Sequence, residues 1–247
     1  LLSAVVPPMG ESAAPTLDEI SVLLVWTAVA VYVLAFIAYA IDLARRSDVA
    51  VKAQDAARER ELAAAVGAGG RVSVPSRVPE APAKPRFVWA RIGTALTVLG
   101  FLFQVGGTVL RGIAAQRVPW SNMWEFALTG TTLIVAVYLV VLTRKDLRFL
   151  GSFITGLIVV LMGGTLVGGL YVEVVPLADP LKSVWLVIHV FVASLATALF
   201  ALAFALSVLQ LIQARRERRI AAAEDGVEVR SSGFLRTIPT ADGLESL

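Results

Sequence analysis

Apolar residues fall into five long runs, separated by short polar segments and one long one. Crossing roughly 30 Å of hydrocarbon at about 1.5 Å per residue takes about 20 apolar residues. Four runs meet that length without help from any charge, at about 20 to 41, 123 to 142, 150 to 171 and 184 to 212. A further run, 87 to 110, contains Arg91, which can snorkel from near the helix end to the interface. It also contains Gln104, expected to hydrogen-bond to another helix. The pattern predicts an all-α fold, a polytopic transmembrane helical bundle of about five spans forming a single integral-membrane domain.

Basic residues orient the bundle, because Lys and Arg are retained on the cytoplasmic side of short loops. Arg45, Arg46 and Lys52 follow the first span, Arg144, Lys145 and Arg148 join the third to the fourth, and Arg215, Arg216, Arg218 and Arg219 follow the fifth. The opposite loops, about 111 to 122 and 172 to 183, carry only Arg111, Arg117 and Lys182. The N-terminus and these two loops are therefore predicted outside and the C-terminus inside. The cytoplasmic segment 43 to 86 starts with a possible Ser47 or Asp48 cap and an Ala-rich charged stretch expected to form a surface helix. From 67 to 85 its composition is that of a partly disordered linker. The segment 213 to 247 reads as a cytoplasmic tail whose basic run can touch anionic lipid.

Composition narrows the chemistry. Apolar residues make up 57% of 247 positions, more than one soluble core of this length can hide, so membrane lipid is a partner. The net charge of +3 sits in blocks between apolar runs, the distribution of membrane orientation and not of nucleic-acid binding. With no cysteine there is no disulfide, thiolate metal site, iron-sulfur cluster or thiol nucleophile. The chain opens Leu1-Leu2 without a basic n-region and cleavage pattern, the opening expected of a segment of a longer reading frame.

Any role for an imidazole falls on His189, the one histidine. It lies five residues into the fifth span, about 7 Å from its outer end, hence near the outer interface. Trp185, one turn earlier, shares its face and can stack on a flat ligand or anchor the helix among headgroups. The second notable segment is Val118-Pro119-Trp120-Ser121-Asn122-Met123-Trp124-Glu125-Phe126. Asn122 can cap the third span and Glu125 can reach back as in a capping box, near the positive helix terminus. Trp120 and Trp124 are expected on one face at the interface. A capped, aromatic-anchored helix start accounts for all these residues, and a ligand site is the competing use. Gly163, Gly164, Gly168 and Gly169, with Gly106 and Gly107, suit close helix packing or room for a bulky ligand.

Two segments together resemble a known family: the one just described, and Pro180-Leu181-Lys182-Ser183-Val184-Trp185-Leu186-Val187-Ile188-His189-Val190. They look like the heme-handling membrane protein of system II cytochrome c biogenesis, over about the second span to the chain end. A less specific similarity covers Gly233-Phe234-Leu235 to Ile238-Pro239 and Leu244 to Leu247. The resemblance implies that heme b is bound at the outer face, with His189 a ligand of the heme iron and Trp185, Trp120, Asn122, Trp124 and Glu125 around it. It implies thioether attachment of heme to the Cys-x-x-Cys-His segment of apocytochrome c, beside a ResB-type system II partner membrane protein, in the bacterial plasma membrane. The family's tryptophan-rich external signature, its second external histidine and a further intramembrane histidine are expected downstream of this segment. Many relatives have histidine where this chain has Arg117.

Two other classes compete. A small-solute transporter calls for acidic residues or unwound Pro/Gly pairs at mid-membrane and for repeated halves, which the sequence does not display. A non-catalytic scaffold would use the outward segments only as anchors and caps.

Overall fold

The structure is a computed structural model describing residues 16–67, 88–175, 182–223, 240 and 243–244. It consists of α1 (Leu17–Gly67), α2 (Val88–Ala115), α3 (Met123–Leu142), a 3₁₀ turn Arg148–Leu150, α4 (Gly151–Val167) and α5 (Val184–Ala223). Among the described residues all regular structure is helical, and five helices are long and apolar enough to cross a membrane. Helices α1 to α4 close into a ring, each packing on its neighbours, and α5 leans on the outside of α3.

Three boundaries differ from the sequence expectation. The first span does not end near 41 with a separate surface helix capped at Ser47 or Asp48; α1 continues through the charged stretch to Gly67 without a break. That stretch is rich in strong helix formers, so a helix already nucleated in the membrane propagates through it. α5 likewise runs past 212 to Ala223. α4, by contrast, ends at Val167 and not at 171. There Gly169 adopts φ +67°, the Leu170 N–H donates to the Thr165 carbonyl at 3.1 Å, and the chain turns away in a Schellman-type stop. The expected linker, the N-terminal segment and most of the tail lie outside the described residues.

The α1–α2 pair is held by a seven-residue rhythm. Gly93, Gly100 and Gly107 of α2 face Tyr39, Tyr32 and Val25 of α1 in antiparallel register. Seven residues is the repeat that keeps one seam facing a partner, and glycine lets each large side chain lie directly on the α2 backbone. A parallel row on α2, Ala90, Thr97, Gln104 and Arg111, is also fully buried. Gln104 bridges three helices as its position suggested: its Oε1 accepts from the Tyr32 hydroxyl at 2.7 Å and its Nε2 donates to Thr131 Oγ1 at 2.7 Å. At the start of α2 Asp42 accepts from the Ala90 N–H at 3.2 Å and pairs with Arg46, and the Arg45 guanidinium sits over the Trp89 ring. The glycines singled out in α4 do not serve as a seam, because nothing lies within 4 Å of a methyl group placed on Gly163 or Gly164.

The tightest approach is Gly151, where an added Cβ would lie 2.5 Å from the Tyr39 ring. Gly151→Ala is expected to lower stability by about 1–3 kcal/mol, the range for overpacking. Gly163→Ala is expected to be neutral or slightly stabilising through helix propensity. Thermal unfolding of the two variants in detergent checks the contrast, and equal melting temperatures would contradict the packing.

Candidate functional site

The start of α1, the end of α2, the start of α3 and the segment after α4 converge on a buried ionic cluster. Arg111 near the end of α2 has no exposed side chain, and neither does Glu125 in the first turn of α3. Arg111 Nη1 donates to Asp18 of α1 at 2.6 Å, Nη2 lies 3.0 Å from Glu125 Oε1 and Nη2 donates to the Val172 carbonyl at 2.6 Å. Arg117, in the α2–α3 turn, grips both Glu125 oxygens at 2.6 and 3.2 Å, and also reaches the Val175 carbonyl at 3.4 Å. The Tyr171 hydroxyl donates to Asp18 Oδ2, while the Arg111 guanidinium lies 5.6 Å from the centre of the Tyr171 ring. Burial and the neighbouring Asp18 carboxylate raise the Tyr171 pKa above the ordinary phenol range, so it remains a donor at neutral pH. Two guanidinium groups face two carboxylates, so the cluster is charge-balanced.

This arrangement revises the sequence reading of the 118 to 126 segment. Asn122 does cap α3, its Oδ1 accepting from the Glu125 N–H at 2.8 Å. Glu125 reaches back one residue further than a capping box requires, to the N–H and hydroxyl of Ser121 at 3.0 and 2.9 Å. With both oxygens engaged by Arg111, Arg117 and Ser121 and no exposed surface, Glu125 is not available to an external ligand. Trp120 and Trp124 do not share an interfacial face. Trp124 is fully buried, edge-on to Tyr171 at 5.9 Å between ring centres, whereas Trp120 is half-buried. The cluster itself escaped sequence reasoning: Arg111 and Arg117 counted only as loop cations, and nothing local marks Asp18 as their partner.

His189 lies in the second turn of α5 and its side chain is exposed, not enclosed by the bundle. Trp185, one turn earlier, is 80% exposed. Val187, between them in sequence, faces the opposite way, into a cavity of about 450 Å³ shared with Gln116, Arg117, Val118, Trp120 and Lys182. At about 100° per residue, His189 and Trp185 project together from the side of α5 that points away from α3. The structure therefore keeps His189 with Trp185 and separates both from the direction in which Trp120 faces. Trp120 and Asn122 line a second, shallow depression with Ser121, Met123 and Phe126. In this neighbourhood Asn122 Nδ2 and Trp124 Nε1 are buried donors with no partner. Gln116, just after α2, takes φ +51°.

An exposed imidazole and an indole one turn apart can hold a planar metal-containing ligand, nitrogen to metal and ring against ring. One imidazole supplies a single axial position. Among the described residues no group of three or more His, Cys, Asp or Glu is placed to hold a bare metal ion.

Residues 120–245 match the family model described as Cytochrome C assembly protein, just over half of the chain. The match starts at Trp120 and includes the α3 cap, α4 and the His189 face of α5. No curated protein and no solved structure matches the chain.

Removing one member of a buried charge pair strands the other, which typically costs about 3–5 kcal/mol. Arg111→Met is expected to destabilise the protein by that amount. The double variant Arg111→Met with Asp18→Asn should lose less than Arg111→Met alone, because Asp18 is the carboxylate left without a cation, whereas Glu125 keeps Arg117. Chemical denaturation in mixed micelles checks it; a double variant as unstable as the added single effects would contradict direct coupling.

Proposed function

The chain belongs to the cytochrome c assembly protein family, and from that premise we propose that its outer face presents heme, through His189, for covalent attachment to apocytochrome c. As a family member it acts in cytochrome c biogenesis, and it has five helices suited to spanning a membrane. The observation that carries the finer reading is the placement of His189: exposed, at the outer end of α5, with Trp185 beside it. Heme is the substrate carried, and it brings the iron that an imidazole binds and the vinyl carbons that become thioethers.

Within that reading the residues divide the work. His189 Nδ1 or Nε2 supplies one axial nitrogen, which fixes the porphyrin and tunes the iron potential. Trp185 lies against the ring face. Trp120 and Asn122 line depressions on the α3 side, away from the direction His189 faces, and take no part in holding the heme in this reading. Trp124 and Glu125 act behind them, as packing and as the anchor of the ionic cluster. The face of α5 carrying His189 also exposes Ile188, Val192, Leu199 and Phe200, an apolar stripe. We take that stripe as the side on which a system II partner of the ResB type closes the site, with a second axial ligand coming from outside these five helices. The thiols come from the Cys-x-x-Cys-His segment of the apocytochrome, so the absence of cysteine here is consistent with the chemistry. The distribution of basic segments supports this end of the bundle as the outer one, and in this reading attachment occurs on the outer side of the bacterial plasma membrane.

Heme content of the purified protein, coexpressed with its system II partner, tests the assignment. His189→Ala is expected to lower bound heme severalfold or to shift the Soret band, and millimolar imidazole should restore it. An unchanged spectrum and heme content would contradict ligation by His189.

A further inference from the structure

A cavity of about 260 Å³ lies between α3, α4 and α5, and none of its lining residues belongs to the ionic cluster or to the His189–Trp185 pair. Phe126, Gly130 and Ile134 of α3, Leu161 of α4 and Ser194 of α5 wall it, and no charged side chain among the described residues lines it. It follows α3 from Met123 to Ile134, about 16 Å at about 1.5 Å per residue, or roughly half the hydrocarbon thickness. Nothing lies within 4 Å of a methyl group placed on Gly130, and α5, which packs well on α3, touches α4 only lightly. The space is therefore open inside and bounded by a loose seam.

One polar group on its wall is unspent. Ser and Thr hydroxyls inside helices commonly donate to the carbonyl about one turn earlier. Thr94, Thr97, Thr108 and Thr155 do so, and of the threonines lining the cavity Thr131 donates to Ala127, Thr165 to Met162 and Thr197 to Ala193. Ser194 is the exception: the residue is 2% exposed, it lines the cavity, and its Oγ has no partner. It lies about 15 Å along α5 from Val184, near the middle of a hydrocarbon core of roughly 30 Å. We propose that the cavity binds the head of a membrane-soluble quinone, an apolar ring whose carbonyl oxygen accepts a hydrogen bond from Ser194, with its tail leaving through the α4–α5 seam into lipid. At about 30 Å³ per water-sized group the volume takes roughly nine such groups, the scale of one small substituted ring. A helix of about 10 Å diameter does not fit. Without a lining cation the cavity offers nothing to a lipid phosphate or to the carboxylates of heme. An acyl chain would suit the apolar walls, but its carbonyl stays at the interface and it brings only methylene groups to the depth of Ser194. A quinone has no charged headgroup and carries an acceptor that deep. This site is independent of the reading of His189.

The full chain in phosphatidylcholine nanodiscs, with decylubiquinone as the probe, tests this by redox-induced infrared difference spectroscopy and by titration. In the wild-type protein the quinone carbonyl band is expected at lower wavenumber than in protein-free discs, the mark of a hydrogen-bonded carbonyl. Ser194→Ala should return the band to its position in lipid and weaken binding severalfold. Because it removes a hydroxyl that bonds to nothing else, its melting temperature without quinone should match the wild type, which separates loss of a ligand contact from loss of structure. Gly130→Leu, which fills the open space, should abolish saturable binding; should that variant not fold, the band position in Ser194→Ala decides alone. An unshifted band in the wild type, a shift that persists in Ser194→Ala, or binding that survives in folded Gly130→Leu would overturn the proposal. So would a phospholipid that copurifies at one per chain, is lost in Gly130→Leu and is not displaced by the quinone, because the occupant would then be an acyl chain.

Discussion

Two arginines, Arg111 wholly buried and Arg117 mostly so, set the architecture of the end of the bundle where α2 turns into α3. A guanidinium without exposed surface needs its charge and its donors met from within. Arg111 satisfies that need with Asp18 from α1, Glu125 from α3 and a carbonyl from the segment after α4. Four parts of the chain are thereby brought to one point. Arg117 repeats the arrangement from the α2–α3 turn. The α3 start, the packing of Trp124 on Tyr171 and the course of the chain from 171 to 175 all follow from where these two side chains find partners.

Beneath the cluster a different constraint operates. In the membrane interior there is no hydrophobic drive to bring apolar helices together, so close packing and internal hydrogen bonds do the work. The glycine row of α2 admits Tyr32 and Tyr39, and the same tyrosines then meet polar groups in turn: Tyr32 donates to Gln104, and Tyr39 bonds with Thr94. Packing and polar satisfaction thus use the same residues. The consequence for function is a closely packed four-helix frame, with α5 attached to its outside and bearing the exposed His189–Trp185 pair.

Features that depend on local pattern were legible in the sequence. Five apolar runs became five helices, Gln104 was recognised as an interhelical bridge, and the Asn122 cap formed as its spacing implied. Features that depend on which helix neighbours which were not. Gly93 and Gly100 gave no signal apart from a seven-residue interval, whereas the conspicuous glycine pairs of α4 attracted a packing role that Gly163 and Gly164 do not have. Glu125 was seen as a capping residue and candidate ligand contact because its tertiary partners, Arg111 and Arg117, precede it in what reads as an ordinary loop. Trp124 was placed at the interface for the same reason: helical spacing gives a face, but only the neighbours of α3 decide which face is buried.

The central claim is that the one imidazole of this chain is bound to heme iron on the outer side of the membrane. Because the chain holds a single histidine, growth on ¹⁵N-histidine labels one residue, and pulsed EPR of the heme-loaded ferric complex reads the nuclei bound to iron. With only this chain labelled in the complex, the account predicts a directly coordinated ¹⁵N coupling that disappears in His189→Gly and is not regained when unlabelled imidazole fills the vacancy. A heme-loaded complex without that coupling would contradict it.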